Sequence, residues 1–201
     1  MKGIFKMKKI ILLLISVVFI VAKCSDNSKS PVDNGTKNLN SYIYNSHTND
    51  ITVYEGSSGY CEYFEHTSSD TTWKLKFYVK NNQVTSENKI FSDVYLISLI
   101  NIEILDEQPI GYVNILNQGE LISMNNLWSN SKILLATTND SIKTTIIGEK
   151  YIGIRIKNSN DYCYGWVKIN LHEYDNRIQI ITNGYCYKTT LNENILAGQK
   201  E

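Results

Sequence analysis

Cys163 and Cys186, near the C-terminal end of the chain, are the pair of thiols whose spacing asks first for an assignment. Counting alternate residues, Cys163 shares a strand face with Gly165, Val167, Ile169 and Leu171, and Cys186 shares one with Ile178, Ile180, Thr182 and Gly184 as long as no bulge intervenes. Both then point into a core, either joined as a disulfide worth about 2–4 kcal/mol in an oxidising compartment or left as two small buried thiols. Cys61, within Gly59-Tyr60-Cys61-Glu62, reads as a loop thiol, with His66 merely the nearest base. A histidine-dependent reaction has His47, His66 and His172 to draw on. Zinc ligation by Glu62 with His66, or a triad of His172 and Asp175 with a distant serine, lacks the motif spacing that either chemistry needs. No catalytic residue, metal ligand or cofactor site is therefore assigned. Tyrosine is the remaining resource: Tyr42, Tyr44, Tyr54, Tyr60, Tyr63 and Tyr78 lie in the first half, several on outward parities, and Tyr42, Tyr44 and Tyr54 are the candidates to stack against sugars, the alternative being that such rings simply pack the half-buried edge of a sheet.

The elements that must carry these side chains are strands. Trp73, Leu75, Phe77 and Val79 alternate with Lys74, Lys76, Tyr78 and Lys80, giving one dry and one wet face. Asp93 to Leu105 predicts a central strand whose first half is buried on both faces, since its isoleucines and valines favour a strand over a helix. Shorter candidates are 41–45, 51–55, 111–116, 132–136 and 142–147, with 121–128 a loop or one helical turn. Tyr151 to Lys157 and Tyr162 to Leu171 flank the turn-formers Asn158-Ser159-Asn160-Asp161 and so form a hairpin. Arg177 to Thr182 follows a polar connection and continues past a bend at Asn183-Gly184. So many short strands predict an all-β antiparallel sandwich, with a partly open barrel as the alternative.

At the other end, Lys2, Lys6, Lys8 and Lys9 precede 13 apolar or small residues, Ile10 to Ala22, which are too few for a comfortable bilayer span and match an export signal. Val21-Ala22-Lys23-Cys24 resembles the lipobox of bacterial lipoproteins, with Lys23 standing where that family has a small residue; the resemblance implies diacylation of Cys24, and ordinary cleavage after Ala22 is the alternative. The expected organisation is a signal peptide over 1–23, a polar flexible tether over 24–40 and one sandwich domain over 41–201. Loss of residues 1–23 takes five lysines and no acid, leaving 15 basic against 20 acidic residues. That balance, with basic residues scattered rather than clustered, argues against a nucleic-acid partner.

Tyr151-Ile152-Gly153-Ile154-Arg155-Ile156, Tyr164-Gly165-Trp166-Val167-Lys168-Ile169, Gly184-Tyr185-Cys186-Tyr187 and Asn194-Ile195-Leu196-Ala197-Gly198 follow one another in an order similar to the closing segment of many exported bacterial proteins, Bacteroidota-type lipoproteins among them. That resemblance implies secretion and a β-rich fold, and brings no activity with it. The expectation is a lipid-anchored protein of the bacterial cell envelope, at the outer membrane, or else a secreted one. Its expected role is a non-catalytic binding or structural module for a glycan or a surface protein. The alternative is a hydrolase of envelope or extracellular polymers.

Overall fold

Two-residue alternation of apolar and polar side chains lays this chain into strands nearly throughout. The computed structural model describes residues 37–39, 41–46, 48–54, 56, 61–67, 72–84, 89–107, 111–138, 148–174 and 177–201. In chain order the strands are β1 (Lys37–Leu39), β2 (Tyr42–Asn45), β3 (Asn49–Tyr54), β4 (Cys61–Thr67), β5 (Thr72–Val84), β6 (Lys89–Ile100), β7 (Ile102–Glu107) and β8 (Tyr112–Val113). They continue as β9 (Ile115–Leu116), β10 (Leu121–Ile122), β11 (Trp128–Ser129), β12 (Lys132–Thr137), β13 (Gly148–Asn158), β14 (Asp161–Tyr174), β15 (Arg177–Lys188) and β16 (Ile195–Leu196). Among the described residues there is no helix.

Fourteen strands share one hydrogen-bonded array, which β7 divides into two layers. Residues 102–104 of β7 pair with β13 in the first layer, built mainly from β2, β3, β15, β14 and β13. Asp106 and Glu107 pair with β8 in the second, which continues through β12, β6 and β5 to β4. All pairs are antiparallel except β8 with β12. The ends of the strand order, β1 and β4, do not meet, so the array is an antiparallel sandwich and not a barrel.

Trp73, Leu75, Phe77, Val79, Val94 and Leu96 of the second layer pack against Ile51, Val53, Ile152, Ile154, Ile169 and Ile180 of the first. Trp73 meets the Tyr185 ring edge-on at 4.8 Å between centroids. Burying each large side chain here is worth about 1.5–3 kcal/mol, which fixes the register of both layers, since a one-residue slip would turn every such side chain outward.

Several expectations need correction. The run from Asp93 to Leu105 is two strands, because Asn101 takes a left-handed φ of 47° and breaks the pleat. Its outward residues Tyr95 and Ile97 are half-buried, and Leu99 and Ile100 are exposed, so it is not covered on both faces. Residues 121–128 form no helical turn: β10, a tight turn and β11 occupy them. Gly111 to Leu116 is split into β8 and β9, where the Asn114 amide donates to the Leu105 carbonyl. The sheet begins at Lys37, inside the span expected to be tether, because β1 pairs with β2. Residues 1–23, Cys24 and the strand expected over 142–147 lie outside the described residues.

Candidate functional site

Strand register decides which side chains become neighbours on the outer face of the second layer. Since Trp73, Leu75, Phe77 and Val79 of β5 are buried in the core, Lys74, Lys76, Tyr78 and Lys80 point away from it. Tyr78 is the Cα partner of Tyr95 in β6, Tyr95 of Leu134 in β12, and Leu134 of Tyr112 in β8. These four residues therefore make one row crossing four strands. At the usual strand spacing Tyr95 stands about 4.8 Å from Tyr78 and about 9.6 Å from Tyr112. Two residues to one side runs the row Lys76, Ile97, Lys132, and to the other side runs Lys80, Asp93, Thr137, two residues on along β5 and β6 and three along β12, where the register shifts. An aromatic row thus lies between two rows that carry lysines.

The ammonium of Lys132 sits 3.6 Å from the centroid of the Tyr95 ring and 5.2 Å from that of Tyr78, and Lys76 sits 5.2 Å from Tyr78. Contacts of this kind at a wet surface contribute about 0.5–1 kcal/mol. The grid's carboxylate, Asp93, is buried and accepts hydrogen bonds from Asn82 Nδ2 and, at 2.9 Å, from the Tyr95 hydroxyl. Burial first, then that hydrogen bond to Asp93, pushes the Tyr95 phenol up to about 12, so it stays a neutral donor across the physiological range. Burial, then the charge of Lys80, lowers the Lys132 ammonium, against the pull of Asp93. Lys80 and Lys132 are exposed, while Tyr78, Tyr95 and Tyr112 are half-buried. Rings held at their base and charged groups held at their rim can stack against a flat ligand and attract an anion.

The tyrosines singled out in sequence stand elsewhere. Tyr42 is 8% exposed, and its hydroxyl accepts a hydrogen bond of 3.0 Å from Gln199 Nε2. Tyr44 packs on Trp166 at 6.2 Å between centroids, with the Lys200 ammonium 4.1 Å from its ring centroid. Tyr54 is exposed and lines a depression of about 160 Å³ with Thr52, Arg177 and Gln179. Tyr44 lies opposite Cys186 and Tyr54 opposite Arg177, nine positions apart on β15 and roughly 30 Å at the usual rise per residue. They form no shared platform.

What covers Tyr42 and Tyr44 is the end of the chain. Ribbon β10–β16 and the residues after it close over the outer face of the first layer, burying Leu105, Leu116, Ile122, Tyr151, Tyr164, Trp166, Ile195 and Ala197 in a second core. Trp166 Nε1 donates to the Gln199 carbonyl at 2.9 Å, and Tyr151 meets Trp166 edge-on at 5.3 Å. The four C-terminal sequence motifs converge on this core. A Cβ at Gly165 would lie 2.5 Å from the Cys186 carbonyl oxygen, so glycine is what lets β14 and β15 approach there.

Of the two arrangements open to Cys163 and Cys186, a bridge or two buried thiols, the structure shows the second: both are free. Val167 pairs with Tyr185 but Ile169 with Thr182, so β15 carries one extra residue, at the φ of 98° of Gly184. That bulge reverses the parity: Cys163 faces the interlayer core and Cys186 the second one. Burial raises both thiols, Cys186 to about 12 against the opposing charge of Lys200, which leaves them unreactive. Cys61 opens β4 opposite Tyr78 and is not in a loop. His172 is a half-buried residue within β14, opposite Gln179. His66 lies on β4 opposite Trp73; His47 and Asp175 fall outside the described residues. Among the described residues no group of three or more His, Cys, Asp or Glu is placed to hold a metal ion.

Arg155 is a second charged aromatic cluster, with its guanidinium donating to Glu103 from Nε at 2.9 Å and lying 4.1 Å from the ring centroid of Tyr162 and 5.0 Å from that of Trp128. Its Nε and Nη2 donate to Glu103 and its plane lies against two rings, which marks it as packing. Trp166 is fully buried, whereas Trp128 stays half-exposed beneath Arg155. No family model, no curated protein and no solved structure matches this chain.

Proposed function

We propose that this protein is a non-catalytic binding module of the bacterial cell envelope, lipid-anchored through Cys24, that holds a glycan on the outer face of its second layer. The observation that carries the reading is the register row Tyr78, Tyr95, Leu134, Tyr112, which presents three rings in line across four strands. Rings aligned in this way suit the repeating apolar faces of a saccharide chain, and their polar rim suits its hydroxyls. The apolar run at 10–22, followed by Lys23-Cys24, supports the anchored location, and the polar segment after it supplies reach from the membrane.

A glycan array probed with the full chain in detergent tests the role. The expected outcome is binding of at least one extended saccharide, lost in a Tyr78→Ala/Tyr95→Ala variant and kept in Tyr54→Ala. Silence across the array, or equal binding by both variants, removes the reading. Mass spectrometry of the membrane fraction checks the anchor: an acylated peptide starting at Cys24 is expected, and an unmodified one starting at Lys23 contradicts it.

A further inference from the structure

We infer that the outer face of the β10–β16 ribbon is a lipid-contacting surface, seated on the bilayer that holds Cys24. The inference rests on the reading of Cys24 as the anchor, and adds which side of the domain lies against the membrane. In the ribbon Leu121 pairs with Leu196 and Ile122 with Ile195. Both isoleucines are buried in the second core, so both leucines stand on the opposite face, where they are 52% and 41% exposed. A ribbon that closes a core needs one apolar face, and this one has two. Met124 in the turn that follows and Leu127 beyond it are exposed as well. Four of the eight large apolar side chains exposed among the described residues are thus gathered in and directly after this ribbon, which singles it out as a contact surface.

Charge, size and position make lipid the occupant rather than a folded partner. Leu121 to Ser131 and Asn194 to Gln199 contain no acid or base, in a chain of which 20% is charged. The nearest acids are engaged, Glu120 by the Asn117 amide at 2.8 Å and Glu193 by Lys188 at 2.9 Å. Four side chains are few against the roughly 20–30 residues a side of a stable protein interface. A bilayer asks for less, since a domain that is already tethered needs only a second, weak contact at the boundary of headgroups and acyl chains. The ribbon also lies on the side where the anchored chain enters the fold. Lys37 opens β1 opposite Tyr44, whose ring packs on Trp166 in the core that the ribbon seals. The segment from Cys24 to Lys37 spans about 45 Å at most, so acyl chains on Cys24 hold the bilayer within that distance of β1. The tyrosine row, on the outer face of the other layer, then looks away from the membrane.

Quenching by brominated lipid tests the contact. Leu196→Trp, Leu121→Trp and Leu99→Trp, the last at an exposed leucine on β6 of the other layer, are purified from the membrane fraction in detergent. Each is reconstituted into phosphatidylcholine vesicles with or without bromines near the acyl carbonyls. Measured against the wild type, the indole added in Leu196→Trp and in Leu121→Trp should lose fluorescence to the bromines, and the one added in Leu99→Trp should not. Equal quenching at all three positions, or at none, overturns the inference. Protection of the Leu196→Trp indole from acrylamide that grows with protein concentration, without quenching by bromine, would put a second copy on this face and overturns it too. The anchor is read separately, from flotation of the wild type with the vesicles and from the Cys24 peptide. An acylated protein whose added indoles are not quenched loses the contact and keeps the anchor. Quenched indoles on a protein without acyl chains keep the contact and lose the anchor. A protein neither acylated nor found with the vesicles removes both.

Discussion

The outer faces of the two layers start from similar material and end differently. Each carries tyrosines aligned by strand register and a lysine stacked on a ring: Tyr42, Tyr44 and Lys200 on the first layer, Tyr78, Tyr95 and Lys132 on the second. On the first, β16 and Gln199 close over the rings and turn them into core. On the second, no described element closes over the rings, and they remain half-exposed between lysines. An aromatic stripe in a strand therefore says that a surface is sticky, and the cover, supplied by distant sequence, decides whether that stickiness serves folding or binding.

Trp166→Ala should give the largest effect, since it empties the second core and strips a donor from the Gln199 carbonyl. The loss expected is about 3–5 kcal/mol, measured by denaturant unfolding. Tyr78→Ala on the open face should cost less than about 1 kcal/mol; equal losses at the two sites would erase the distinction between covered and open faces. Gly184→Ala should come next, at about 2 kcal/mol or more, because a Cβ would run into the Asn45 carbonyl oxygen on a backbone of φ 98°. A fully stable Gly184→Ala protein would mean that the bulge, and the split of the two cysteines between faces, is dispensable.

The smallest effect concerns Tyr95. A phenol raised on folding from 10.0 to about 12 contributes its stability in full below the lower value, and loses it progressively as pH rises from one to the other. Difference absorbance between the wild type and Tyr95→Phe should show one tyrosine ionising late in that window. Ionisation at the ordinary value would mean that the Tyr95 hydroxyl is neither buried nor held by Asp93, and the open face would then be looser than the covered one.

Where side chains simply alternate, the fold was legible in sequence. Trp73 to Lys80 and the hairpin around Ser159-Asn160 are found where local pattern puts them, because parity and turn chemistry act over a few residues. Single residues that reset the backbone were not legible in the same way. Asn101 splits one long apolar run, and Gly184 reverses the face of Cys186, although the bend at Asn183-Gly184 signalled its position. The candidate site was legible only in fragments. Tyr78 and the lysines around it stood out on a wet parity, but joining them to Tyr95 and Tyr112 takes the pairing of β5, β6, β12 and β8, which is a property of tertiary register. Tyr42 and Tyr44 were misleading for the opposite reason: their cover comes from residues more than 150 positions away in sequence, as the contact of Tyr42 with Gln199 shows.

That tie between Tyr42 and Gln199 also sets a timetable. β2, one of the first strands, is joined to the rest of the array through β15, and the second core is sealed by the last few residues. A polypeptide that emerges N-terminus first must wait for its final turn before the architecture can lock. Pairings between residues so far apart in sequence favour slow folding.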